Sequence, residues 1–182
     1  MLTWATYFAL VPAQYESFTT TRLTVEVPSV REFQRRYEEA VPFSPVDRVT
    51  AMIERGASWA EMLDLVADHA PYGFLTYWRN ELHPVMQLAG DENDCVAYLM
   101  GNVTIDEQMF RHEPRAMLYA PMRTLIWEDG DGGAWFTVDQ PSAPFGSFHD
   151  PRVSAIGVEI DRKLAALLEA LGAEVPIALF AS

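Results

Sequence analysis

The chain is poor in the residues that covalent and metal chemistry usually need. It has one cysteine, Cys95, among 182 residues, so no internal disulfide can form. A single thiol at the start of an apolar run reads as a small core residue in a reducing cytoplasm, with no basic neighbour in sequence to stabilise a thiolate. Four histidines lie in four separate segments without metal-ligand spacing, and neither a metal nor a cofactor is expected. Phosphate-binding glycine loops, GxSxG elbows, HExxH helices and CxxC pairs are missing. Cations are scarce: 13 Lys and Arg stand against 26 Asp and Glu, a net charge of -13. A field of that sign repels phosphate backbones and argues against nucleic acid as a partner. No apolar run reaches the ~18 residues of a membrane span, and the apolar N-terminus lacks a basic leader and a small-residue cleavage site.

What is present is an ordinary globular composition, 49% hydrophobic, enough for one domain with an arm. Residues 1–20, with Trp4, Tyr7, Phe8, Tyr15 and Phe18, read as an arm that packs on its own domain or crosses to a second subunit. Residues 21–182 read as a single α+β domain. Polar and apolar residues alternate over 21–27, which predicts a half-buried strand. Ser29 with Glu32 starts a helix over 30–40, Ser44-Pro45 one that ends at Gly56, and Ser58 with Glu61 one carrying Trp59, Met62, Leu63, Val66 and Ala67 on one face. Residues 72–79 read as an aromatic strand and 95–100 as a central strand. Thr104 with Glu107 caps a short helix. Residues 122–128 and 134–139 form a hairpin around the glycine-rich turn EDGDGG. Residues 140–149 are a loop, and a final helix runs over about 151–171. The tail after Gly172 reads as an edge strand or a partner contact. Hairpins mixed with single helices give a largely antiparallel sheet with helices on one face, preceded by a strand and two helices.

The stretch from Cys95 to Asp139 organises this chain. Counting back from the turn sets Arg123 opposite residue 138 or 139, so Arg123 and Asp139 can meet across the hairpin. An arginine held in one pose there suits a carboxylate or enolate. His112 is the candidate proton carrier, being close in sequence to Glu113, Tyr119 and Arg123; His83 is a further candidate contact. On the aromatic strand, period-two alternation puts Phe74 and Trp78 on one face and Tyr77 on the other. Trp127 and Trp135 oppose one another on the hairpin. Aromatic residues on a second sheet face must meet a subunit, the arm or a ligand.

Several of these features resemble the bacterial and archaeal family known as domain of unknown function 302, over roughly residues 58–170. The resemblance rests on HAPYGF, a strand ending in Gly101-Asn102, a short helix, Pro114, Pro121 opening the strand to WEDGDGG, and Pro141. It implies a compact α+β domain that often pairs as a dimer. The family's usual Asn-Pro is Asn102-Val103 here, and Met122 and Arg123 stand where many members have a cysteine and an asparagine, which speaks against a thiol role. The expected function is a cytoplasmic, cofactor-free, homodimeric protein binding a small apolar or aromatic molecule. If catalytic, it would work by acid–base chemistry through Arg123, His112 and Asp139, as an isomerase, cyclase or lyase, with Phe74, Trp78, His83, Tyr119, Trp127 and Trp135 around the ligand. The alternatives are a non-catalytic assembly protein, and metal or haem binding through His112 with Met109.

Overall fold

The computed structural model describes residues 15–180. Residues 1–14 of the expected arm lie outside the described residues, and residues 15–21 lead without regular structure into the first strand. Five described strands, β1 (Arg22–Val27), β2 (Leu75–Glu81), β3 (Cys95–Gly101), β4 (Met122–Glu128) and β5 (Ala134–Asp139), form one antiparallel sheet in the order β1-β5-β4-β3-β2. The fold is α+β. No helix among the described residues is long and apolar enough to cross a membrane.

One face of the sheet is sealed. Leu23, Val25, Tyr98, Met100, Ile126 and Phe136 point into a core shared with the helices α1 (Val30–Ala40) and α7 (Pro151–Ala170). Tyr37 of α1 is wholly buried there; its ring packs 4.8 Å from that of Tyr98 and its hydroxyl hydrogen-bonds Thr124 Oγ1 at 3.1 Å. Burial without an ionic partner pushes the Tyr37 phenol well up from its ordinary range. Ser29 accepts the Glu32 amide and starts α1 as the sequence implies. Asp150, accepting the Arg152 amide, and Pro151 start α7, while Gly172, at φ +72, follows its end.

The helices α2 (Val46–Glu54) and α3 (Trp59–His69) stand at the β2 edge. Their geometry departs from expectation in two ways. Ser44 is no cap: its amide donates to Thr76 O at 2.9 Å and Phe43 bridges Thr76 in parallel, so the chain before α2 is tied to β2 and the helix starts at Val46. The expected apolar face of α3 is also rotated. Leu65 and Val66 are buried, whereas Trp59, Leu63 and Ala67 are exposed, because the helix packs through its 62–65–66–70 line. The capping box of Ser58 and Glu61 is complete.

Further differences are local. β2 begins at Leu75, after a turn with Gly73 at φ +78. Residues 83–86 form the one-turn helix α4. The helix α5 (Val103–Phe110) is capped by Asn102, whose side chain accepts from the Thr104 amide, so Thr104 lies inside the helix rather than at its cap. Part of the expected loop over 140–149 forms a short helix, α6 (Ser142–Gly146). The tail makes a single tight turn, Ile177–Phe180, with Leu179 buried.

The α6–α7 seam is close. A Cβ on Gly157 would sit 3.0 Å from the Phe145 Cβ and 3.1 Å from the Ser142 Cα. Alanine is favoured over glycine in a helix by ~1 kcal/mol, but overpacking against atoms this near the backbone costs about 1–3 kcal/mol. Gly157→Ala is therefore expected to lower the melting temperature in calorimetry; an unchanged or higher value contradicts the seam.

Candidate functional site

Strand alternation sends half of the side chains to the second face of the sheet, and among the described residues no helix covers that face over β3 and β4. Leu99 of β3, with Leu125 and Trp127 of β4, forms its apolar floor, and Trp78 stands at the β2 side. Together with residues of β1 and β5 they line a groove of about 740 Å³. Thr137 ties the floor together, bonded to Thr24 Oγ1 at 3.1 Å and accepting the Trp127 indole N–H at 2.9 Å.

Trp78 reaches this groove because of a bulge. Thr76 pairs with Met100 and Trp78 with Leu99, so Tyr77 has no partner of its own in the ladder. The extra residue reverses the alternation. Phe74 is in the core, 1% exposed, and Trp78 is on the open face, 46% exposed. The expectation that Phe74 and Trp78 share a face is thus corrected, and Phe74 is no groove residue.

The polar end of the groove holds Arg22, Arg123 and Asp139. Thr124 pairs with Val138, which sets Arg123 across from Asp139 one step further along the ladder. The ion pair, however, goes to the other neighbour: Asp139 Oδ1 lies 3.4 Å from Arg22 Nε on β1. Among the described residues no carboxylate comes within 4 Å of the Arg123 guanidinium, so that cation is left exposed and uncompensated. The sequence could not reveal this, because β1 is distant in the chain and becomes a neighbour only when the sheet closes. Arg123 and Asp139 also border a second cleft of about 110 Å³, lined by Phe18, Tyr119 and Pro121 among others. The Tyr119 ring packs edge-on against Phe18 at 5.7 Å. The two cavities therefore meet at the arginine.

The remaining candidates are dispersed. Trp135 pairs with Trp127, with rings 6.4 Å apart, but its indole donates to Asp129 Oδ2 at 2.7 Å in the turn. With the Gly133 and Asp131 amides, that bond draws the Asp129 carboxyl below its ordinary range. His112 is exposed beyond α5 and lines neither cavity. Met109 is sealed in the core. His83 opens α4, with Nδ1 3.5 Å from Asp94 and 3.2 Å from the Asn93 carbonyl. Among the described residues no group of three or more His, Cys, Asp or Glu side chains is arranged to hold a metal ion.

One unusual group escaped the sequence reading. Asp106 of α5 is half-buried beside a void of about 10 Å³ bordered by Phe74, Asn102 and Pro121. No side chain among the described residues donates to its carboxyl, and burial pushes its pKa up to about 7. In sequence Asp106 looks like a favourable first-turn acid, and only the packing of Phe74 and Pro121 shows its desolvation.

A family model described as "Domain of unknown function DUF302" matches residues 71–171. No curated protein matches this chain. The fold is similar to a crystal structure of an uncharacterized conserved protein DUF302 from Bacillus stearothermophilus, with a TM-score of 0.57 at 16% identity, over 84% of this chain and 97% of that one. At that identity the likeness concerns the fold.

Asp106 carries a pH signature. Its folded-state pKa lies above the unfolded value of about 3.9, so between the two the folded chain holds a proton that the unfolded chain has lost. The folded state is favoured at low pH and loses that advantage as pH rises from about 4 toward about 7. Asp106→Asn is expected to raise the melting temperature near pH ~8 and to leave it nearly unchanged near pH ~4. Equal effects at both values, measured by thermal denaturation, contradict the desolvated carboxyl.

Proposed function

This chain belongs to the DUF302 family, and from that premise we propose that its open sheet face binds a small amphipathic anion. The apolar or aromatic body of the ligand lies over Leu99, Leu125 and Trp127, with Trp78 at its side. A carboxylate or enolate oxygen pairs with Arg123. The observation that carries this reading is the Arg123 guanidinium, which stands at the end of an apolar groove while Asp139 is occupied by Arg22. In a chain of net charge -13, such an uncompensated cation beside apolar surface favours an anionic head group with an oily body.

Binding, more than turnover, is what the groove supports. His112 and His83 do not border it, and Asp139 is held in an ion pair, so an acid–base step has no free proton carrier among its described lining residues. Assembly of two copies through the same face is the second reading, favoured by Trp78 standing partly exposed at its margin. The lone Cys95 thiol, partly open to solvent on this sheet, suits the reducing cytoplasm.

Titration with anilinonaphthalene sulfonate tests the reading. Arg123→Ala should weaken binding about tenfold, ~1.4 kcal/mol, the size of one charge-assisted hydrogen bond, and Arg123→Glu more. Melting should shift little, since an exposed unpaired side chain contributes within about 0.5 kcal/mol. Unchanged affinity in both variants overturns the anion site. A wild-type dimer that Trp78→Glu converts to monomer in sedimentation, without bound probe, favours assembly instead.

A further inference from the structure

A further cavity lies beside the β2 bulge, under α2 and α3. The residue that the bulge displaces, Tyr77, does not border the sheet groove and, with Leu75, lines a pocket of about 520 Å³. Val49 and Met52 of α2 form one wall, and Leu65 and Val66 of α3 the other. The volume is that of a small-molecule site, within roughly 300–1,000 Å³. We propose that this pocket binds an uncharged apolar small molecule, independently of the anion site on the sheet.

Two observations support an occupant of that chemistry. The first is charge. Charged residues make up 21% of the chain, yet none lines this pocket among the described residues. Its polar groups are largely committed: the Tyr77 hydroxyl accepts the Val103 amide at 3.1 Å, and Ser58 caps α3. A buried ionic group would find no counter-charge there, and its desolvation would go uncompensated. An apolar body loses nothing on entry.

The second observation is that the walls are tied at their ends. At the root, the Thr76 amide donates to Pro42 O and the Ser44 amide to Thr76 O, both at 2.9 Å, fixing the start of α2 to β2. At the far end, Arg55 Nη2 reaches Glu61 Oε1 at 2.6 Å and joins the end of α2 to the first turn of α3. The turn between them is closed by the Ala57 amide on Met52 O at 2.9 Å. The start of α2 is thus tied to β2 and its end to α3, and apolar side chains stand at an open rim, with Ile53 72% exposed. A well-packed interior leaves few voids of this size.

Nile red, an uncharged solvatochromic dye, tests this with the full chain. The expected result is saturable binding with blue-shifted emission. Val49→Trp, which fills the pocket, should weaken it at least tenfold. Ile53→Glu, which sets a carboxylate at the exposed rim, should do likewise with a nearly unchanged melting temperature, so that loss of binding is separable from loss of fold. Equal dye affinity in wild type and in folded Ile53→Glu overturns the proposal. So does a wild-type dimer, seen in sedimentation, that excludes the dye and separates when Ile53 is replaced, since a second copy would then cover the pocket. The anionic probe should still bind Ile53→Glu, so failure here is distinguishable from failure of the sheet-face site.

Discussion

Successive residues of a strand face opposite ways, and among the described residues α1 and α7 cover one side of this sheet. Every residue sent into the seam of α1 and α7 therefore leaves its neighbour on the uncovered face. Tyr98 and Met100 go inward and Leu99 outward; Thr124 and Ile126 go inward and Arg123, Leu125 and Trp127 outward. The groove is the complement of the core. The buried contacts of Tyr37 with Tyr98, Phe136 and Thr124 thus fix which side chains remain on its floor.

The bulge at Tyr77 interrupts this rule. It sends Trp78 to the groove and Tyr77 to the pocket beneath α2 and α3. A one-residue irregularity in an outer strand thereby divides the aromatic residues between two cavities of different character. One is an open groove with a cation at its end; the other is bordered by no charge among the described residues. Bulges commonly re-aim side chains beside functional sites, and here the effect can be followed residue by residue.

Electrostatics sharpen the contrast. Arg35, Arg36, Arg55, Arg111, Arg115 and Arg152 each pair with a nearby acid, and being exposed these pairs contribute little to stability. Arg123 differs because β1 takes Asp139 away from it. Asp106 differs in the opposite sense, as a half-buried acid to which no side chain among the described residues donates. Neither follows from the residue type or from its immediate neighbours. The likeness to the Bacillus stearothermophilus protein, at 16% identity, concerns the backbone that creates these positions and not the side chains that fill them.

Most of the long elements and the α+β class were legible in the sequence. Alternation marked β1, the serine and aspartate caps marked α1, α3 and α7, and the glycine-rich turn marked the β4–β5 hairpin and set Arg123 and Asp139 across from each other. These signals are local: a cap acts within three residues and a hairpin turn fixes its own register. Tertiary structure alone decided the rest. The partner of Asp139 is Arg22, more than a hundred residues away; Phe74 and Trp78 part company through an unpaired Tyr77; of the expected α3 face Met62 and Val66 pack against the strand while Trp59 and Leu63 stay exposed. Each of these depends on which surface lies opposite, and burial and charge pairing are properties of two surfaces in contact, which a single segment does not specify.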